Sequence, residues 1–214
     1  MLKSLTVVVT PFMQNARLIY DSDSMATAII DPGGDSPLIV DAITTHKLKP
    51  VAIWLTHSHL DHCGGVLKLK QRYAIPLYAH AEEELMRSRV RAVASMYGLP
   101  ASLLDDCPEP EVYLEGGQEL ALGTHNFNVL FTPGHSPGHL CFYNKESGIL
   151  LAGDTLFSGS IGRTDLPGGD HQTLLSTLRE VVCVLPPETK VLSGHGPDTT
   201  IGHEQKTNPF LAGG

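Results

Sequence analysis

Three histidines and an aspartate fall within six residues at His57-Ser58-His59-Leu60-Asp61-His62, immediately after the apolar run 51–56. Imidazole and carboxylate together are the donors that first-row divalent metals prefer. His57 and His59 are two residues apart, so in extended backbone both side chains point to one side. Asp61 and His62 come at the entry to a helix and face a neighbouring position, a spacing that suits two metals side by side. Three later segments each set a ligand-type residue beside glycine: Thr132-Pro133-Gly134-His135-Ser136-Pro137-Gly138-His139, Gly153-Asp154-Thr155 and Ser193-Gly194-His195-Gly196-Pro197. Glycine allows the backbone angles and close approach that a loop needs to aim His135, Asp154 or His195 at a fixed point.

The elements that would position these residues alternate between strand and helix. Strands are expected at 5–9, 17–20, 26–30, 51–56, 119–122, 126–131, 139–143, 149–152 and 190–193, many bounded by Pro, Gly or Asp. A helix is expected from Ser36, read as its N-cap with Pro37 at the first position, and others after Cys63, Ala81 and Asp170. The last carries Leu174, Leu175, Leu178, Val181 and Val182 as an apolar stripe at helical spacing. Strands cluster in two groups, each followed by helices, which suggests two sheet-plus-helix halves packed sheet against sheet. The loops rich in His, Asp and Gly all follow predicted strand ends, so residues far apart in sequence would meet in one cleft.

Composition sets the surroundings. The 214 residues, 42% of them apolar and 18% charged, suit one globular domain spanning 1–214. A formal net charge of -8 without a dense basic stripe argues against a nucleic-acid partner. No apolar run is long enough to span a membrane, and the N-terminus reads as a strand without a cleavage pattern, so a cytoplasmic protein with no membrane partner is expected. Cys63, Cys107, Cys141 and Cys183 include no Cys-x-x-Cys pair and fit reduced thiols. Among the remaining histidines, His46, His80, His125 and His203 are read as non-ligands. His139, four residues after His135, is a candidate hydrogen-bonder to a ligand. Arg163 and Asp165 are candidates for orienting ligands, lining the pocket or forming an ion pair.

The His-x-His-x-Asp-His segment with the three later loops resembles the metallo-β-lactamase superfamily over essentially the whole chain. The resemblance implies His57, His59 and His135 at a first metal, Asp61, His62 and His195 at a second, and Asp154 bridging both. It also implies an α/β fold, the αββα sandwich, with two mixed sheets packed face to face and helices on both outer faces. Within the superfamily, the Thr132–His139 segment and Gly153-Asp154-Thr155-Leu156-Phe157 look like the glyoxalase II (hydroxyacylglutathione hydrolase) group. Gly159-Ser160-Ile161-Gly162-Arg163-Thr164-Asp165, Gly194-His195-Gly196-Pro197 and Lys206-Thr207-Asn208-Pro209-Phe210 resemble its short bacterial form. The long form carries an added C-terminal helical region with basic residues for the glutathione part, and this sequence ends at Gly214 without one.

A centre of two divalent ions, expected to be zinc with iron or manganese as alternatives, stays net positive after Asp61, Asp154 and a bridging hydroxide are counted, and so draws an anionic substrate. Metal coordination lowers the pKa of water from about 15.7 to near 7, which makes hydroxide available, and Asp61 would orient it as the catalytic carboxylate. A thiolate departs without a strong proton donor, whereas an amide nitrogen needs one, and the sequence offers no dedicated general acid. The expected activity is therefore hydrolysis of a small anionic thioester, a glutathione conjugate such as S-D-lactoylglutathione. The alternatives are a persulfide dioxygenase with one iron on His57, His135 and Asp154, another hydrolase of the same fold acting on a lactone or β-lactam, and a metal-bearing binding domain without turnover.

Overall fold

The computed structural model describes residues 1–100 and 102–211. The chain divides into two compact units, one of Met1–Leu114 with Ala121–His125, the other of Glu115–Leu120 and the chain from Asn126 onward.

The first unit is organised by a six-stranded sheet in sequence order: β1 (Leu2–Val9), β2 (Gln14–Asp21), β3 (Ala26–Ile30), β4 (Lys49–Trp54), β5 (Leu77–Ala79) and β6 (Val112–Tyr113). The first three strands pair antiparallel and the remaining pairings are parallel, so the sheet is mixed. Helices α1 (Ser36–Thr45), α2 (Leu60–Cys63), α3 (Val66–Tyr73), α4 (Glu84–Arg87) and α5 (Val90–Met96) follow its strands. Ile39 and Ile43 of α1, Val66 and Leu69 of α3, and Val90 and Ala94 of α5 pack with Leu18, Ile29, Ile53 and Leu55 into one core. The alternate strand residues Ile19, Ala28, Ile30 and Trp54 are buried as well. Burial on both faces is why the run 51–56 reads as nearly continuous apolar sequence, without period-two alternation.

The second unit holds most of the sheet β14-β13-β10-β9-β8-β7, formed by β7 (Glu119–Leu122), β8 (His125–Phe131), β9 (Leu140–Asn144), β10 (Ile149–Gly153), β13 (Lys190–Ser193) and β14 (Thr199–Thr200), with the end of β7 and the first residue of β8 counted to the first unit. It too is mixed, β10 running parallel to β13 and antiparallel to β9. A two-stranded hairpin, β11 (Leu156–Phe157) and β12 (Ser160–Ile161), follows β10. Helix α6 (His171–Thr177) continues as a π-turn over Leu178–Val182, and α7 (Ile201–Thr207) comes last. Leu174, Leu178 and Val182, four residues apart, face Cys141, Leu150, Ala152 and Val191 of the sheet. Leu175 and Val181 stay half-buried at the edges of this stripe.

Strands expected at 26–30, 119–122 and 190–193 have those bounds, and the other expected strands shift by a few residues. The very short β5, β6, β11, β12 and β14 were not anticipated, being too brief to show a period. One cap differs from expectation. Asp35, not Ser36, caps α1, at φ 42° and without a side-chain bond to the helix. Its carboxylate is already engaged by the Thr10 N–H at 2.7 Å, and Ser36 instead donates its hydroxyl to the Gly65 carbonyl. Among the described residues no helix is long and apolar enough to cross a membrane, and all four cysteines are free thiols.

Leu178 is fully buried at the helix–sheet contact of the second unit. Leu178→Ala is expected to lower unfolding free energy by about 2–5 kcal/mol, measured as a shifted midpoint in urea denaturation of the metal-free protein.

Candidate metal centre

In each unit ligand-type residues hang from the ends of two adjacent parallel strands, while His135 comes from the loop between the antiparallel strands β8 and β9. Parallel pairing aligns the carboxyl ends of neighbouring strands, so the residues just beyond them are brought side by side. In the first unit β3 ends into Asp31 and β4 into Leu55-Thr56-His57, and the Asp31 N–H donates to the Trp54 carbonyl at 3.1 Å. In the second, β10 ends into Asp154 and β13 into Gly194-His195, tied by the Gly194 N–H to the Gly153 carbonyl at 2.7 Å.

Within the first unit, the His57 ring centroid lies 4.7 Å from that of His59 and 4.0 Å from that of His62. His57 and His62 are wholly buried, whereas His59 and Asp61 are half-buried. The residue that organises them is Asp31, which the sequence reading did not single out. Its Oδ1 accepts the Thr56 N–H at 2.7 Å, and its Oδ2 accepts the Thr56 hydroxyl at 2.6 Å and His62 Nδ1–H at 3.1 Å. Because the Thr56 hydroxyl spends its proton on Asp31, it accepts from His57 Nδ1–H at 3.1 Å. One buried carboxylate thus fixes the tautomer of two histidines, leaving the Nε2 lone pair of each for a metal. Asp31, His57 and His62 also form a cluster with donor atoms within 4.8 Å of one another, but the bonds to Asp31 engage both of its oxygens and give it the part of orienter. Asp31 holds φ 48°, a left-handed conformation that Asp tolerates better than most residues.

A second unanticipated carboxylate, Glu83, is fully buried and accepts the Ser58 N–H at 2.7 Å, fixing the backbone between His57 and His59. Gly33 allows the loop after Asp31 to lie against Asp61: a Cβ there would stand 1.5 Å from the Asp61 carbonyl oxygen. Burial, and then hydrogen bonding with Cys107, pushes the Cys63 thiol well above its usual range, so it packs as a neutral group.

Within the second unit, Asp154 Oδ2 lies 3.6 Å from His135 Nε2 and 3.5 Å from His195 Nε2. These separations match two donors sharing one ion, since ligands at about 2.0–2.1 Å in a tetrahedral shell stand about 3.3 Å apart. His135 donates Nδ1–H to the Arg163 carbonyl at 2.7 Å, which again leaves Nε2 as the lone-pair donor. Gly162 makes that bond reachable, because a Cβ there would stand 2.0 Å from the Asp154 carbonyl oxygen and 3.0 Å from His135 Nδ1. His195 is half-buried with its ring edge-on to Phe157, centroids 6.1 Å apart.

The donor set in each unit therefore fits divalent metal: imidazole Nε2 atoms with fixed tautomers, close to a carboxylate, and inner members shielded from water. The other histidines do different work. His80 accepts the Glu82 N–H as a turn cap, His46 ends α1, His125 opens β8 with Nε2 3.7 Å from Asp21, and His203 lies in α7. Arg163 and Asp165 form an exposed two-pronged ion pair at 2.7 and 2.8 Å. The main-chain carbonyl of Arg163 is the group that receives His135 Nδ1–H.

The family model described as the metallo-beta-lactamase superfamily matches residues 9–195. A probable metallo-hydrolase of Bacillus subtilis, YqgX, is 39% identical over 207 residues, covering 96% of this chain and 95% of its own. The hydroxyacylglutathione hydrolase GloC of Haemophilus influenzae is 38% identical over 206 residues, 96% of either chain. Among solved structures, the BLEG-1 B3 metallo-beta-lactamase superposes with a TM-score of 0.90 at 38% identity, covering 99% of this chain and 100% of that one. TTHA1623 in a di-iron-bound form gives 0.88 at 40% identity, with 97% and 100% covered.

Two outcomes are expected. Asp31→Ala should weaken metal binding about 10–100-fold, read by competition with a chromophoric chelator, with Asp31→Asn between it and the wild type. Hydrogen bonding from Arg163 holds the Asp165 carboxyl at about 2, below its ordinary 3.8. A depressed folded pKa means the ion pair is complete above the ordinary value and is lost as pH falls through the folded one. In Arg163→Gln the Asp165 carboxyl resonance should titrate back near the ordinary value in an NMR pH series.

Proposed function

The chain belongs to the metallo-beta-lactamase superfamily, and from that premise we propose that it is a binuclear metal-dependent thioester hydrolase acting on acyl-glutathione, such as S-D-lactoylglutathione. The observation that carries the metal reading is the Asp154 carboxylate oxygen facing the Nε2 atoms of two histidines at 3.6 and 3.5 Å. The thioester reading is supported by the likeness to a hydroxyacylglutathione hydrolase over 96% of both chains.

Following the family pattern, His57, His59 and His135 would hold one divalent ion and Asp61, His62 and His195 the other, with Asp154 available to both. The two ions would lower the pKa of water and polarise a carbonyl. Zinc is the assignment from mixed imidazole and carboxylate donors, with iron or manganese compatible with the same set. Asp61 would orient the attacking water and take up its proton. The water oxygen adds to the thioester carbonyl carbon, and the C–S bond breaks with its electron pair leaving on sulfur. A thiol of ordinary pKa about 8.5 leaves as the anion, so no side chain need donate a proton to it.

Metal per chain, thiol release from S-D-lactoylglutathione and oxygen uptake with glutathione persulfide test this together. Two metals per chain and thiol release are expected. Asp61→Ala and His195→Ala should each lose the second ion, and Asp61→Ala should lower kcat about 10²–10⁴-fold. A single iron with oxygen uptake and no thioester cleavage would overturn the proposal in favour of a persulfide dioxygenase. Two metals retained with full activity in both variants would overturn the site assignment.

A further inference from the structure

The strand β10 breaks before it delivers Asp154. Its pairing with β13 shifts register between Leu151 and Gly153, and Gly153 turns left-handed at φ 48°. The bulge aims the Asp154 side chain, but it removes the Asp154 N–H from the sheet ladder in a buried place. A buried N–H without an acceptor is costly, so something must receive it. The acceptor is His139 Nε2, at 3.1 Å.

That bond settles the state of the whole ring. An N–H can only donate, so Nε2 carries the lone pair and the proton sits on Nδ1. Nδ1 faces two hydroxyls, Thr132 Oγ1 at 2.9 Å and Thr155 Oγ1 at 3.1 Å. Thr132 in turn donates its own proton to the His139 carbonyl at 3.3 Å, which leaves its oxygen to accept from Nδ1. Thr155 donates onward to Thr132 at 3.4 Å. His139, Thr132 and Thr155 are all fully buried. His135 and His139 therefore use their rings in opposite senses: His135 pins Nδ1 and presents Nε2 outward, whereas His139 spends Nε2 on the main chain. A ring so engaged has no lone pair left for a metal.

We propose that His139 is the positioning residue for Asp154: it clamps the displaced strand end from the main-chain side so that the carboxylate meets His135 and His195. The proposal rests on the reading of Asp154 as a metal ligand. Its role is not that of a packing ring, because what Asp154 needs is an acceptor at one point, and a side chain of other shape that offers one should serve.

The test compares His139→Leu with His139→Gln, whose amide oxygen offers an acceptor for the Asp154 N–H. In metal-free protein, hydrogen exchange of the Asp154 amide is followed by NMR, and zinc affinity is then measured by chelator competition. In His139→Leu the amide should exchange at least about tenfold faster and zinc should bind at least about tenfold more weakly. In His139→Gln most of both losses should be recovered. Equal losses in the two variants would show a packing role, and unchanged exchange and affinity in His139→Leu would remove any role; either result overturns the proposal. If His139→Leu does not fold, Thr132→Val carries the test, since it removes a hydroxyl that receives Nδ1–H and leaves the ring in place. It should shift exchange and affinity in the same direction by less, and no shift overturns the proposal. Wild-type protein that binds no metal pair would refute the functional reading instead, and the exchange result in metal-free protein distinguishes the two failures.

Discussion

The structure depends on one constraint: a metal-binding histidine must offer a lone pair in a fixed direction, and an imidazole does so only when its other nitrogen is held. His57, His62 and His135 are each held at Nδ1, by the Thr56 hydroxyl, the Asp31 carboxylate and the Arg163 carbonyl. Two of these holders sit where they do because of strand pairing, and the Arg163 carbonyl because Gly162 permits a close approach. Asp31 reaches Thr56 and His62 because β3 and β4 run parallel and end together. Asp154 and His195 are neighbours for the same reason at the ends of β10 and β13.

The fold bears the cost of that arrangement. A residue at φ 48° and the buried carboxylates of Asp31 and Glu83 are unfavourable unless surrounding groups satisfy them. Asp31 is met by the Thr56 N–H and hydroxyl and by His62, and Glu83 by the Ser58 N–H. The members of the proposed ligand set that remain half-buried are His59, Asp61 and His195.

The ligand candidates were legible in the sequence because four metal-binding side chains in six residues after an apolar strand are rarely found for any other reason. The central strands were legible as well, since burial on both faces left unbroken apolar runs. Asp31 was not, because Ile30-Asp31-Pro32-Gly33-Gly34 reads as an ordinary turn and nothing local tells that β3 will pair in parallel with β4. Glu83 was hidden in an acidic helical stretch whose exposed members, Glu82 and Glu84, look the same. Ser36 was read as a cap because its type and the following Pro37 fit one, while the residue that occupies the cap has its carboxylate drawn away by Thr10.

Much of what orients the centre acts through peptide groups: the Arg163 carbonyl, the Ser58 N–H and the Asp154 N–H. At residue 163 this separates two inheritances. The carbonyl serves His135 whatever side chain is attached, while the guanidinium, lying outside with Asp165, faces the solution. Substitution there changes the charge shown to the solution, while the peptide group that holds His135 Nδ1 stays in the chain.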